Sequence, residues 1–193
     1  MSKLIREIKC CTLCESHLPL GPKPILAGNA KSKIAIVSQA PGRIAHESGI
    51  PFMDPSGKNL RNWLGVDQDT FYNEDYFAIA PMGFCYPGKG KGGDLPPRFE
   101  CAPTWHPQLF EMLKGLEIKL LIGQYSQKAY LGKERKRTLT DTVKSFAEYL
   151  PEYFPLPHPS PRNGIWMRNN PWFEEDVIQA LRQKVKQLIN IRY

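Results

Sequence analysis

The chain has 193 residues, 41% hydrophobic and 23% charged, which excludes a disordered tail protein and predicts one globular domain over residues 1–193. It contains no apolar run of about 18 residues, the length that spans a bilayer, and no secretory signal core, so we expect a cytoplasmic protein without a membrane partner. Lys and Arg outnumber Asp and Glu by 26 to 19, giving a net charge of +7. That excess favours nucleic acid as the partner, although solubility alone also explains it, and nothing implies an obligate protein partner.

Four short apolar runs predict buried parallel strands, because they are rich in β-branched or large apolar residues and lead into loops with proline or glycine. These runs are Lys33–Ser38, Tyr76–Ala80, Ile118–Ile122 and Tyr153–Pro157. The prolines of the last run place it toward an edge of the sheet.

Helices are predicted between and after these strands from capping residues and terminal glycines. They cover Ser56–Gly65, Thr104–Gly115, Gln124–Leu131 and a segment from Asn170 almost to the C-terminus. Because strands alternate with helices, we expect an α/β fold with three layers, α/β/α, around a central four-stranded and mostly parallel sheet. Functional loops should then lie at the carboxyl ends of the strands.

The five cysteines form two pairs and one extra thiol. Cys11 and Cys14 make a C-x2-C pair, while Cys85 and Cys101 enclose a 15-residue segment rich in glycine and proline. In a cytosolic protein such pairs indicate a metal or redox site before disulfides, and two pairs can form one site of four thiolates. Cys10 is adjacent to Cys11 and could replace it. An iron-sulfur cluster, a zinc ion and free structural cysteines all remain open on spacing alone.

Three loops follow predicted strands and carry recognisable motifs. They are Ser38-Gln-Ala-Pro-Gly42, Pro81-Met-Gly-Phe-Cys85 and His158-Pro-Ser-Pro-Arg-Asn163. In an open parallel sheet these loops converge on one crevice. The sequence resembles the uracil-DNA glycosylase superfamily over nearly the whole chain. The first loop resembles motif 1 of the family, Gly49-Ile-Pro-Phe52 fits the G-x-P-F that follows, and His158-Pro-Ser-Pro161 matches motif 2.

The cysteine spacing is similar to that of the iron-sulfur type of this family, the family 4 enzymes. The resemblance therefore implies a four-iron four-sulfur (4Fe-4S) cluster, with Zn as the alternative, on Cys11, Cys14, Cys85 and Cys101. It also implies a monofunctional DNA glycosylase that flips a deaminated base such as uracil out of DNA and hydrolyses its N-glycosidic bond. Because this hydrolysis needs no redox step, the cluster should be structural.

The resemblance also implies roles for residues of the predicted crevice. Phe52 would stack on the flipped base, and His158 would stabilise the negative charge on the departing base. Gln39 would line the same pocket and bind a base carbonyl through its backbone amide. The other residues assigned to substrate binding are Ala40, Pro41, Gly42, Asp54 and Asn163.

Water activation departs from the family pattern. Ala40 occupies the position at which the best-known glycosylases of the family carry an Asp, and an alanine cannot accept a proton or orient a water. We therefore predict that His46 positions or activates the water, because a histidine titrates near neutral pH. Asp54 is the carboxylate nearest to Phe52 in sequence and is the second candidate.

Base recognition departs from the pattern as well. Pro81 stands where uracil enzymes of the family carry an Asn that reads the uracil edge. Either Asn163 or Gln124 reads that edge instead, or the preferred base is not uracil. Both departures favour an alternative function, an iron-sulfur lesion-binding or DNA-binding module with little or no glycosylase activity. A third possibility is a metal site that merely stabilises a small α/β domain acting on RNA or a nucleotide.

Contacts to the DNA backbone are expected from basic loops. Lys89 and Lys91 alternate with glycines, which allows close approach to phosphates. Arg162 and Arg168 flank motif 2, where the family inserts a wedge into the base stack, and Trp166 and Met167 are the predicted wedge.

Overall fold

The structure is a computed structural model that describes residues 3–189. Its sheet consists of four parallel strands in the order β2-β1-β3-β4. The strands are β1 (Ile34–Val37), β2 (Phe77–Ile79), β3 (Ile118–Ile122) and β4 (Tyr153–Leu156). Each lies within a predicted run, and β4 forms an edge of the sheet, as its prolines indicated.

Helices fill the connections between the strands. In the part of the chain that the structure describes, they are α1 (Lys3–Lys9), α2 (Arg43–Ser48), α3 (Pro55–Leu64), α4 (Gln68–Tyr72), α5 (Cys101–Met112), α6 (Gln124–Leu131), α7 (Leu139–Lys144), α8 (Gly164–Asn169) and α9 (Gln179–Ile189). A π-helical segment, Phe173–Ile178, leads directly into α9. The helices α1, α2, α4, α7 and α8 were not predicted, because each has only five to seven residues, too few for a periodic apolar pattern.

Two predicted helices begin earlier than expected. The N-cap of α3 is Asp54 rather than Ser56, because the Asp54 Oδ1 accepts a hydrogen bond from the Gly57 backbone N–H at 3.0 Å. Helix α5 begins at Cys101, three residues before the predicted start at Thr104.

Alternate residues of each strand face opposite sides of the sheet, so both sides need a cover. On one side Ile36 packs in a buried cluster with Leu60 of α3 and Leu181 of α9. On the other side Val37 packs in a cluster with Leu131 of α6. Helices thus cover both faces, which confirms the three-layer α/β/α fold. Within residues 3–189, the structure has no helix with the length and hydropathy needed to cross a membrane.

Candidate functional site

A cavity of about 430 Å³, within the usual range for ligand pockets, lies where the loops after β1, β2 and β4 meet. We call it the strand-end cavity. Gln39, Phe52 and His158, which are far apart in the chain, all line it. Its other polar lining residues are Ser38, Asp54, Ser56, Asp94, Ser160 and Arg162. The wall also includes Ile25, Ala40, Pro41, Gly42, Ala45, Pro51, Ile79, Pro81, Gly92 and Gly93.

Two amide side chains hold the backbone around His158. The Asn163 Nδ2 donates to the His158 carbonyl oxygen at 2.6 Å, and the Asn59 Nδ2 donates to the Pro159 carbonyl oxygen at 2.9 Å. Prolines on both sides restrict the same segment further. No group of residues 3–189 hydrogen-bonds the ring nitrogens of His158. The backbone that carries the ring is therefore held in place, while the ring nitrogens stay available to a ligand.

The charge state of His158 follows from its surroundings. Burial lowers the pKa of His158 below its usual 6.5, and the negative charges of Asp54 and Asp94 oppose part of that change. The imidazole is therefore neutral at neutral pH and has one N–H to donate. A fixed neutral donor of this kind suits a leaving group on which negative charge develops.

Phe52 reaches the cavity through an unusual backbone conformation. Its φ angle of 57° lies in the left-handed region, which is rare for a side chain of this size. Gly57 permits this conformation, because a Cβ at that position would lie 1.7 Å from the Phe52 carbonyl oxygen. The Phe52 ring stands edge-to-face against Phe71, with the centroids 6.0 Å apart, and the Arg61 Nη1 donates to the Phe52 carbonyl oxygen at 3.3 Å. These contacts hold one aromatic ring at the wall of the cavity.

Residues 86–97, which we call the glycine-rich loop, fold against the cavity. Side chains from both motifs tether this loop: the Gln39 Nε2 donates to the Leu95 carbonyl oxygen at 3.0 Å, and the Arg162 Nη1 donates to the Gly92 carbonyl oxygen at 3.0 Å. Asp94, between the two tethers, lines the cavity. The loop is thus part of the wall of the strand-end cavity.

Asp94 is not among the residues predicted from the sequence, because the prediction for this loop rests on its lysines and glycines. The available signal was that Asp94 is the sole acidic residue between Cys85 and Glu100. Asp94 is exposed overall, and the partial burial of its carboxylate raises its pKa above the usual 3.8, whereas the positive charges around it, those of His158 and Arg162 first, lower it.

His46, predicted to handle the water, does not line the strand-end cavity. It lies in the last turn of α2, half-buried, with its ring centroid 6.0 Å from that of Tyr86. Its Nδ1 is buried and has no hydrogen-bond partner among the described residues. The helical turn of α2 presents Ala45 to the cavity and directs His46 elsewhere, so this placement does not agree with the predicted role.

Asn163 and Gln124, predicted to read the base edge, also lie outside the strand-end cavity. They line a neighbouring cavity of about 260 Å³, which shares Gln39 and His158 with the first. The Asn163 amide is already bound to the His158 carbonyl oxygen. Asn163 therefore positions the motif 2 segment, and neither amide is placed to read a base in the strand-end cavity.

Trp166 and Met167, the predicted wedge, are both half-buried against the core cluster that contains Phe173. The Trp166 Nε1 donates to the Thr140 Oγ1 at 2.9 Å, and its ring stands edge-to-face against Trp172 and Phe173, with centroid distances of 5.9 and 5.3 Å. A side chain held in this way is not free to enter a base stack. The neighbouring Ile165 is 66% exposed and is the apolar side chain that projects at this end.

The basic residues predicted to contact DNA are exposed. Lys89, Lys91 and Arg168 are all accessible to solvent and do not line the strand-end cavity. Arg162 is also exposed but lines the cavity and tethers the glycine-rich loop. Phosphate binding by these four residues remains a prediction.

The four paired cysteines line one small pocket, which we call the cysteine cavity. Its wall consists of Cys11, Cys14, Leu18, Pro24, Gly83, Phe84, Cys85, Arg98, Cys101 and Trp105. Cys10 is exposed and outside this wall, so the structure favours Cys11 over Cys10. Burial raises the pKa of the Cys85 thiol to about 11 and that of Cys101 to about 12.

The chemistry of this donor set suits a thiolate-ligated group. Four thiols face one space, and the Phe84 backbone N–H donates to the Cys101 Sγ at 3.4 Å, a contact of the kind that stabilises a thiolate ligand. Within the described range 3–189, no group of three or more His, Cys, Asp or Glu residues is placed to hold a single metal ion.

Comparisons with known proteins agree with the motifs. A family model described as the uracil DNA glycosylase superfamily matches residues 26–182. The type-4 uracil-DNA glycosylase of Archaeoglobus fulgidus is 30% identical over 84 residues, a match that spans 42% of this chain and only 42% of that relative. A solution NMR structure from Methanosarcina acetivorans, described provisionally as a uracil DNA glycosylase, has a TM-score of 0.48 and 14% identity over 82% of this chain and 94% of that one. Because the family model matches most of its length, this chain belongs to the uracil DNA glycosylase superfamily.

Proposed function

We propose that the protein is a monofunctional DNA glycosylase that hydrolyses the N-glycosidic bond of a flipped, deaminated base such as uracil. The observation that carries the proposal is the meeting of Gln39, Phe52 and His158, from three separate segments, in one cavity. An aromatic wall and a neutral hydrogen-bond donor are the groups needed to grip and release an everted base.

The chemistry assigned to these residues is simple. The base departs with the electron pair of the C1′–N bond, so negative charge develops on the base as the bond breaks. The His158 N–H donates to that charge, and a fixed donor of this type is worth about 10²–10³ in rate. Stacking on Phe52 adds about 1–3 kcal/mol of binding to the flipped base.

DNA is the proposed partner. The net charge of +7 attracts a polyanion, and Lys89, Lys91, Arg162 and Arg168 are exposed to contact its phosphates. Phosphate contacts release counterions, so DNA binding should weaken as salt rises. An absence of salt-dependent DNA binding would favour an RNA or nucleotide substrate.

We further propose that Cys11, Cys14, Cys85 and Cys101 ligate a four-iron four-sulfur cluster. The support is that all four thiols line the cysteine cavity. When bound, the cluster supplies a cross-link between the N-terminal segment and both flanks of the glycine-rich loop, without a redox step. Iron and acid-labile sulfide in protein purified without air test this assignment, and a colourless protein with stoichiometric zinc contradicts it.

A second candidate function has its own observation. Ala40 and Pro81 line the strand-end cavity at positions where active members of the family carry a carboxylate and an amide. Their side chains offer neither group, which favours a module that binds lesions without hydrolysing them.

One experiment separates the two functions. Single-stranded and double-stranded oligonucleotides carrying uracil, hypoxanthine or xanthine are incubated with excess protein, and both binding and free base are measured. Release of a base by the wild type, but not by His158→Ala, supports the glycosylase. Tight binding without release of any base supports the binding module.

A further inference from the structure

We infer that Asp94 is the catalytic carboxylate that accepts the proton of the hydrolytic water, supplying from the glycine-rich loop the acid that motif 1 lacks. The inference rests on the proposed glycosylase activity. It assigns the water chemistry to a segment that is remote in sequence from both motifs and that joins the two cysteines of the second pair.

The carboxylate of Asp94 lies against the motif 1 loop. A Cβ built on Gly42 would be 3.4 Å from the Asp94 Oδ2, so the carboxylate is in contact range of that backbone. Gly42 is two residues after Ala40, the position at which the family carries its carboxylate. Because Gly42 has no side chain, there is room for the Asp94 carboxylate beside it. The glycine-rich loop thus brings a carboxylate next to motif 1, which has none of its own.

The loop around Asp94 is held on both sides of the residue. The tether from Arg162 binds the Gly92 carbonyl oxygen, and the tether from Gln39 binds the Leu95 carbonyl oxygen, both at 3.0 Å. Within the loop, the Leu95 N–H donates to the Gly88 carbonyl oxygen at 2.9 Å. A carboxylate fixed in this way can orient a water without first having to be ordered.

Asp94 and His158 face the same space. Both line the strand-end cavity, and the charge of each alters the pKa of the other. Asp54 also lines this cavity, but its Oδ1 is engaged as the N-cap of α3. His46 lies outside the cavity wall. The Asp94 carboxylate interacts with the Tyr86 hydroxyl and caps none of the described helices, so it is oriented toward the cavity without being needed to start a helix.

The proposed step balances as follows. The C1′–N bond breaks and the base leaves with the electron pair, stabilised by the N–H of His158. The water oxygen forms a bond to C1′ and gives one proton to the Asp94 carboxylate. The products are an abasic deoxyribose with a hydroxyl group at C1′ and the free base, which takes up the proton when the carboxylate is regenerated. The step needs no oxidant or reductant.

The pH dependence of this step depends on every charge near Asp94. The groups that face it are His158, Arg162, Asp54, Lys89 and Tyr86. Because the step needs the ionised carboxylate, the rate should fall on the acid side as Asp94 becomes protonated. In a variant without this carboxylate, the part of the decrease in rate at low pH that Asp94 causes, which we call the acid limb, should disappear.

The test compares Asp94→Asn with the wild type in single-turnover base release and in DNA binding. The expected loss of rate is about 10²–10⁴-fold, the usual contribution of a general base. DNA binding should stay the same or tighten, because the substitution removes a negative charge from a surface that meets phosphates. Asp94→Glu should recover part of the rate. The matched control is Asp69→Asn, an exposed carboxylate on α4 outside the cavity, which should leave the rate unchanged.

The outcomes separate this inference from the proposed function. A wild type that releases base, together with an Asp94→Asn variant that is slow, binds DNA and lacks the acid limb, supports the inference. A wild type that releases base with an Asp94→Asn variant of similar rate overturns the role of Asp94 and leaves the glycosylase intact. A wild type that binds DNA and releases no base overturns both.

Discussion

The strand-end cavity and the cysteine cavity are built in opposite ways. The first is open and has polar side chains among its apolar wall residues, and the ring nitrogens of His158 have no partner within residues 3–189. The second is lined mainly by thiols and apolar side chains, and burial strongly raises the pKa values of two of its thiols, Cys85 and Cys101. Accessible polar groups suit a ligand that arrives and leaves, whereas thiols enclosed by apolar side chains suit a group that stays.

The two cavities share one loop. Cys85 and Cys101 flank the segment whose tip places Asp94 in the strand-end cavity. A rich content of glycine gives this segment little capacity to order itself, so its shape depends on what holds its ends and its tip. A group held by the cysteine cavity would therefore help to set the position of Asp94 in the strand-end cavity.

The largest expected effect comes from breaking the cysteine cavity. If the proposed cluster is present, the purified protein should be brown, and Cys101→Ser should abolish that colour and reduce iron from the about four atoms per chain that a complete cluster carries. Base release should fall with it, because the glycine-rich loop loses an anchor at its end. Iron, sulfide and base release are measured on the same preparation.

The control for that change is Cys10→Ser, since Cys10 is exposed and outside the cysteine cavity. It should keep both iron and activity. Equal iron loss in both variants would show that the two adjacent cysteines are interchangeable.

The next effect tests the strand-end cavity alone. His158→Ala should reduce single-turnover base release by about 10²–10³-fold, because it removes the donor to the departing base. The iron content and the free energy of unfolding should stay near those of the wild type, because the His158 ring makes no hydrogen bond within the described chain. Full activity of the variant would remove His158 from the mechanism.

A third effect concerns the support behind Pro81, a wall residue of the strand-end cavity. His106 on α5 is buried, with its Nε2 at 3.0 Å from the carbonyl oxygen of Pro81 and its Nδ1 at 2.5 Å from the hydroxyl of Tyr130. Burial lowers the pKa of His106 from 6.5 to about 4. Between pH 6.5 and about 4, His106 binds a proton in the unfolded chain but not in the folded chain. The free energy of unfolding therefore falls as the pH falls through this range.

The loss in the free energy of unfolding that His106 causes is about 3 kcal/mol between pH 6.5 and about 4. It is measured by denaturant unfolding at a series of pH values. His106→Gln should be less stable at neutral pH but should lack this part of the acid dependence. An unchanged acid dependence in the variant would assign it to other groups.

The smallest effect concerns the aromatic wall. Phe52→Ala should weaken binding of DNA that carries the target base by about 1–3 kcal/mol, because the base loses its stacking partner. Phe52→Tyr should retain the binding, since a tyrosine ring stacks equally well. Binding of undamaged DNA should not change in either variant, and a matching loss there would indicate a structural role instead.

Much of the fold could be predicted because its signals are local. Each strand is a short apolar run with a breaker after it, and α6 has the predicted bounds because it lies between two glycines. The short helices were missed because one or two turns carry no periodic signal. The start of α3 was missed because both Asp54 and Ser56 are residues that can cap a helix. In the structure Asp54 is the cap, since its Oδ1 accepts the hydrogen bond from the Gly57 N–H.

In the candidate site, the positions of the loops could be predicted from the sequence, but the directions of several side chains could not. Motif letters place Gln39 and His158 directly after strands, and parallel strands bring such loops together without further information. Phe52 lies farther along the same connection as Gln39, between α2 and α3. The roles proposed for His46, Asn163 and Trp166 depended on the direction of a side chain within a short helix or turn. A rotation of about 100° per residue sets that direction, and packing fixes it.

The sequence by itself determined the α/β alternation, the loops that meet and the four thiols that pair, because these follow from local patterns and from spacing along the chain. Only the tertiary structure decided that Cys11 and not Cys10 joins the cysteine cavity, and that Asp94 and not His46 enters the strand-end cavity. Both decisions depend on contacts between residues far apart in the chain. The tethers from Gln39 and Arg162 to the glycine-rich loop are such contacts, and no local pattern encodes them.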